Sequence, residues 1–249
     1  SSSAASDVYK RQILESQHWN SFRAAYPHLE IDLRGENLRY INLSGQDLSG
    51  ANLASACLSG ATLNHTNLSS ANLSGAILKG ANLYKAHLEK ANLENTNLHA
   101  VDLEDACLIG ANLEGATLTE VFALRVCLKN ANIVCANFSY ASLRYANFEG
   151  ANLCNANLEE TSLAVANLTN ANLKNANLRR AILERTMFTN ANLEGTNLEE
   201  ALFWDTILTG ANLTGSNITL EQLHSAVNTS GITGPCLLYT SDAADEEDS

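Results

Sequence analysis

Ala51-Asn52-Leu53-Ala54-Ser55-Ala56-Cys57-Leu58-Ser59-Gly60-Ala61-Thr62-Leu63 repeats one phrase every five residues: a small residue, a short one that is usually Asn or Asp, a Leu, and two free positions. Followed outward, the Leu position recurs without insertion from Leu33 to Ile218. Of these 38 positions 31 are Leu, four are Phe (Phe138, Phe148, Phe188, Phe203), two are Ile and one is Ala123. Two residues earlier, 24 of the 38 are Ala and six are Thr. An apolar period of five fits neither the 3.6-residue helix nor the two-residue strand, so ordinary helices and strands are excluded over this span. The phrase requires a solenoid.

The number of sides follows from the columns. Every twentieth residue from Asp32 is an amide or acid, ten of ten through Asn212, whereas the column from Asn42 keeps only Asn42, Asn82 and Asp102 among nine. Steps of fifteen from Asp32 give Asp47, Thr62, Ile77, Asn92 and Cys107, with no such purity. The coil is therefore read as four-sided, with twenty residues per turn and about 9.5 coils, a rod about 45 Å long at the strand spacing of ~4.8 Å. Ala is needed beside each Leu because four inward Leu side chains leave no room for four more large ones. The Asn column is expected to bond to itself and to corner backbone.

These residues resemble the pentapeptide-repeat proteins, whose signature is A-(D/N)-L-x-x, over residues 31–218. The resemblance implies an all-β solenoid, a right-handed quadrilateral β-helix. It says little about activity.

The two ends read differently. Ser2 to Gln12 can be back-translated so that its reverse complement, shifted one frame, encodes Cys236 to Asp245. Residues 1–12 and 236–249 are accordingly read as disordered sequencing-adapter artefact and set aside. The net charge of −12 then becomes −8, and six cysteines become five. With neither an initiator Met nor a stop in the remainder, a piece of a longer protein is expected.

Inside those ends, 13–30 is read as a helical cap, since Trp19, Phe22 and Tyr26 fall at helical spacing before Pro27. The repeats at 31–50 are degenerate, with Ile31, Glu36, Ile41 and Gln46 at the small position, as suits an edge coil. Thr219-Leu220-Glu221-Gln222 is a capping box, so 219–235 is read as a C-terminal cap closed by Leu220 and Leu223. Val121-Phe122-Ala123-Leu124-Arg125 breaks the pattern as if the inward set had slipped by one, and a bulge or widened corner is expected there. Stacking at twenty also brings Glu159 and Glu160 against Arg179 and Arg180, these against Glu199 and Glu200, and lines up Lys85, Asp105 and Arg125.

No phosphate-cradling loop, HExxH or nucleophile elbow occurs, and a rod filled with Leu offers no concave site, so no enzyme, cofactor or metal is expected. His87, Cys107 and Cys127 stack in a column, but a single line converges poorly on an ion and lacks a fourth ligand, so they read as isolated thiols. Unpatterned cysteines favour a reducing, cytoplasmic setting. No membrane segment lies between 13 and 235, and the acidic balance disfavours direct nucleic-acid binding.

The expected role is a protein-binding or spacing scaffold with an unknown protein partner, and Phe122, Leu124 and Trp204 are its candidate contact residues. The family resemblance supplies an alternative, because some members look like duplex DNA, bind DNA gyrase or topoisomerase IV and protect it from quinolones. Duplex DNA shows a charge every ~1.7 Å, so a ~45 Å mimic needs about 26. Residues 31–218 hold 18 acidic and 12 basic side chains, and they lack the loop insertions of known gyrase protectors.

Overall fold

The computed structural model describes Leu14 and residues 18–234, so both ends read as adapter fall outside the described residues. Four columns of parallel bridges begin at Asp32, Asn37, Asn42 and Asp47, and each joins residues twenty apart: Asp32 to Asn52, Asn37 to Cys57, Asn42 to Thr62, Asp47 to Asn67 and onward. Each bridging residue is held by two backbone bonds. Asn52 N–H donates to Ile31 C=O at 2.8 Å, and Asn52 C=O accepts from Leu33 N–H at 2.8 Å. The paired stretches stay short because every side ends in a turn. Ala51 N–H donates back to Leu48 C=O at 3.0 Å, and Gly50 between them has φ +67°. The residue two past each Leu takes positive φ from Gly35 through Gly215, which is what turns the chain through a corner every five residues.

Inward, the Leu and Ala rows form one continuous buried core. Four Phe sit in the Leu row, and Phe138 meets Phe148 edge-on at 6.3 Å. The six Thr in the Ala row are also buried, and each solves its hydroxyl in one way, by donating to a carbonyl of the preceding coil. Thr66 Oγ1 reaches Leu43 C=O at 2.7 Å, and Thr186 Oγ1 reaches Leu163 C=O at 2.9 Å. A buried hydroxyl without that bond would be costly.

The expected slip at Val121–Arg125 does not occur. Ala123 is 1% exposed in the Leu row, Phe122 bridges both Asp102 and Ser142, and Ala123 N–H donates to Ser142 C=O at 2.9 Å. Slipping by one would break these bonds on both sides of the coil, and a core of well-packed rows does not tolerate the exchange of its inward set. The missing Leu volume is made up instead in the small row. Val121 and Val126 flank Ala123, Val101 lies one coil before Val121, and all three are buried.

Helix α1 (Trp19–Ala25) lies across the edge of the first coil, and the fit is made by polar atoms. Asn20 Oδ1 accepts Asp47 N–H at 2.8 Å, Trp19 Nε1 donates to Asp47 C=O at 2.8 Å, and Asn20 Nδ2 donates to Gly45 C=O at 2.9 Å. Arg23 Nη2 donates to Ser49 C=O at 3.0 Å. These side chains stand where an earlier coil's backbone would pair. Phe22 and Tyr26, which spacing alone groups with Trp19, remain exposed. Ile31 and Ile41 are buried in the edge coil, while Glu36 and Gln46 are half-buried.

Helix α2 (Leu220–Ser225) starts at the expected capping box, with Thr219 N–H donating to Gln222 Oε1 at 2.9 Å and Gln222 N–H donating to Thr219 Oγ1 at 3.2 Å. Leu223 packs on the core, but Leu220 stays exposed, and its expected part falls to Gln222, whose Nε2 donates to the carbonyls of Leu198 and Ala201. Beyond α2 the solenoid resumes. Ile207 bridges Asn228 and Asn212 bridges Thr233, now twenty-one residues apart. That extra residue takes Val227, Asn228 and Gly231 out of the five-residue count, although they repeat its geometry, with Gly231 at φ +71°. No helix among the described residues is long and apolar enough to cross a membrane.

Candidate functional site

The sides of the rod differ in what covers them. Along the side that starts at Asp32, Asn side chains lie flat and form a ladder: Asn72 Nδ2 donates to Asn52 Oδ1 at 3.3 Å, Asn92 repeats this to Asn72 at 3.3 Å, and Asn212 to Asn192 at 3.1 Å. Most Oδ1 atoms also take the N–H two residues on, as Asn92 does from Glu94 at 3.2 Å. The next side carries a second ladder from Asn137 to Asn217. The expected Asn column bonds to itself as read, and the second ladder adds to it.

The side that starts at Asn42 has lost its ladder. Its bridging positions run through Phe122, Ser142, Ser162, Ile182 and Leu202. Phe122 is 47% exposed, Ile182 40%, Leu202 59%, and Trp204, on the same side two residues on, 68%. Tyr145 is exposed at the corner that ends this side. Phe122, Leu124 and Trp204 thus share one side but not one spot, because Trp204 stands four coils from Leu124, about 19 Å along the rod. Ile182, Leu202 and Tyr145 join them without having been anticipated. The signal for them was present in the sequence as the poor amide count of this column.

Charges collect at the corners and pair along the rod. Arg179 bonds Glu159 at 2.8 Å and Glu199 at 3.4 Å, and Arg180 bonds Glu160 at 3.6 Å and Glu200 at 2.6 Å, as the stacking predicts. Lys129 with Glu149 and Lys174 with Glu194 follow the same spacing, both at 2.9 Å. Arg125 reaches Asp105 and Glu104, both at 2.6 Å. Lys85 departs from the expected line and stands over the Tyr84 ring, 5.0 Å from its centre. Hydrogen bonds from Arg125 hold the Asp105 carboxyl below its usual range, and Arg180 does the same for Glu200.

His87, Cys107 and Cys127 do stack through successive bridges. His87 Nδ1 lies 3.4 Å from Glu89, and burial pushes the Cys107 thiol up to about 11, which makes it a poor thiolate. No group of three or more His, Cys, Asp or Glu side chains among the described residues could hold a metal. An apolar recess of about 230 Å³ lies under α1, lined among the described residues by Leu14, Trp19, Phe22, Leu29, Ile31 and Leu33 with the carboxylates of Glu30 and Asp32. Asp32 is bonded by Arg34 at 2.7 Å. Among the described residues nothing there pairs a nucleophile with a base.

No curated protein sequence matches the chain. Among solved structures it is similar to HetL, a pentapeptide repeat protein involved in heterocyst differentiation regulation from the cyanobacterium Nostoc sp. strain PCC 7120. Identity is 32% over 85% of this chain and 90% of that one, with a TM-score of 0.39. A pentapeptide repeat protein of the Arabidopsis thaliana thylakoid lumen is 30% identical over 49% of this chain and 68% of that one, TM-score 0.28. A trypsin-treated form of QnrB1, a plasmid-mediated fluoroquinolone resistance protein, is 19% identical over 82% and 89%, TM-score 0.37. The family model described as pentapeptide repeats matches in eight copies, over residues 30–64, 63–99, 96–133, 131–164, 166–205 and 188–220. With the ladder, the corners and the repeat all in one register, the chain belongs to the pentapeptide repeat family.

Proposed function

We propose that the chain is a non-enzymatic scaffold: a rigid right-handed rod of about 9.5 coils, covered by α1 at one end and by α2 with the pairing stretch that follows it at the other, that binds or spaces another protein. The observation that carries the reading is the unequal dressing of its sides. One side carries an amide ladder, a second carries one from Asn137 on, and a third gathers Phe122, Ile182, Leu202 and Trp204 at its surface, whereas exposed apolar residues elsewhere, such as Ile77 and Ile109, stand singly. Exposed apolar side chains gathered on one side mark an interaction surface, since single ones would scatter. Trp204, large and 68% exposed, is its natural anchor. Phe122 and Leu124 extend the same surface along the rod. Five free cysteines among the described residues fit a reducing compartment such as the cytoplasm.

A photo-crosslinking residue placed at 202, and separately at 94 on the ladder side, tests this in cells. A discrete protein adduct at 202 and none at 94 is expected. Equal adducts at both positions, or none at 202, would sink the reading.

A further inference from the structure

We infer that the partner of the ladder-free side is a second copy of this chain, docked antiparallel about a two-fold axis at the coil of Ser162. The inference rests on the reading of that side as an interaction surface and names its occupant.

When two such rods meet side to side with opposite directions, the axis runs across the side. Each column then faces its own column, at heights mirrored through the axis. Phe122 and Leu202 are both two coils from Ser162, on opposite sides of it, as are Leu124 and Trp204 from Ala164. In the dimer Phe122 of one copy therefore meets Leu202 of the other, and Leu124 meets Trp204. At the centre the side is flat, with Ser142, Ser162 and the buried Ala164, so the bulky ends can close together without a clash between them.

Charge follows the same symmetry. Arg144 and Glu184 lie one coil to either side of Ala164, and neither has an ion pair among the described residues. Mirroring sets Arg144 of each copy against Glu184 of the other, forming two equivalent contacts. At the corner Arg185 and Asp205, paired with each other at 3.5 Å within one copy, stand opposite Tyr145 and Arg125 of the other, which are already met by Arg144 over the ring at 5.9 Å and by Asp105 at 2.6 Å, so the Arg144–Glu184 contact is the one that chooses the orientation. A parallel arrangement would not set Arg144 against Glu184, because the two then stand two coils apart along the rod. Opposed charges of this kind choose orientation as much as affinity. A single side of the rod is a small interface, so the association is expected to be weak and concentration-dependent.

The test is sedimentation velocity over a concentration series, on the whole chain and on charge variants. The wild-type chain should shift from monomer to dimer as concentration rises. Arg144→Glu should weaken the dimer by roughly 100-fold through two like-charge contacts. Glu184→Arg should do the same, and the double swap should restore it, which misfolding of either variant could not mimic. In a background with all cysteines changed to Ser, Ser162→Cys should oxidise to a covalent dimer and Ser142→Cys should not, because Ser142 faces Ile182. A monomer at every concentration, a dimer indifferent to Arg144→Glu, or crosslinking at 142 but not 162 overturns the inference. If the chain stays monomeric while a crosslinker at 202 captures a different protein, the self-docking fails and the scaffold reading stands. If 202 captures nothing and no dimer forms, both fail.

Discussion

Val165 sits at φ +61°, in the left-handed region where a branched side chain crowds its own backbone. Every corner of the rod needs that conformation. Gly, Asn and Asp fill many corners, and Val165 is the poorest fit by its chemistry. Val165→Asn should therefore raise stability by about 1 kcal/mol, seen as a higher midpoint in calorimetry. An unchanged or lower midpoint would show that the corner is not strained. A second residue-scale effect concerns the buried Thr. Thr186→Val keeps the shape but removes the bond to Leu163 C=O, which retains its turn bond from Ala166 N–H, so a loss of about 1 kcal/mol is expected. A loss near zero would mean that the hydroxyl bond only offsets its own burial. The amide columns and most ion pairs were legible in the sequence because each depends only on a spacing of twenty. The strain at Val165 was not, because five-residue counting shows which residues turn corners without showing the sign of φ.

At the scale of one coil, the Ala123 side shows how volume is shared. Ala123→Leu should overfill the space that Val121 and Val126 occupy and destabilise by about 1–3 kcal/mol. Adding Val121→Ala and Val126→Ala should recover most of that loss, a coupling that independent sites would not show. Additive losses across the triple variant would disprove the compensation. The sequence exposed this defect but misassigned its remedy, since Phe122 and Leu124 look like a displaced inward set until ladder bonds are counted against them. The ends follow the same logic. Spacing identified Trp19 and Leu223, but Asn20, Arg23 and Gln222 reach unpaired backbone by geometry that periodicity does not contain. Corner charges add an acid-sensitive part. Asp105 and Glu200 have folded pKa values below their unfolded values of about 4, so their stabilisation is complete above that range and fades as pH falls through the folded values. The melting temperature should drop below about pH 4, and Arg125→Ala with Arg180→Ala should flatten that drop. An identical pH profile in the double variant would show that these pairs carry none of it.

For the whole rod, the sign and density of charge decide between a passive scaffold and an imitation of duplex DNA. A mimic must present acids without neutralising them, since the duplex shows a charge every ~1.7 Å on both strands. Here the repeat span sets 12 bases among 18 acids, and many of the bases stand one coil from an acid, as Arg179 does between Glu159 and Glu199. The field along the rod is thus divided largely into local pairs, and the side that starts at Asn42 exposes Phe122, Ile182, Leu202 and Trp204 rather than an unbroken row of acids. Screening at physiological salt, with a Debye length of about 8 Å, leaves little net field to steer a DNA-binding protein toward it. Purified chain at micromolar concentration should therefore leave gyrase supercoiling, and its inhibition by a quinolone, unchanged. Potent inhibition or protection would mean that shape alone suffices for recognition, and the ladder-free side would then have to be reassigned as the surface that touches the enzyme.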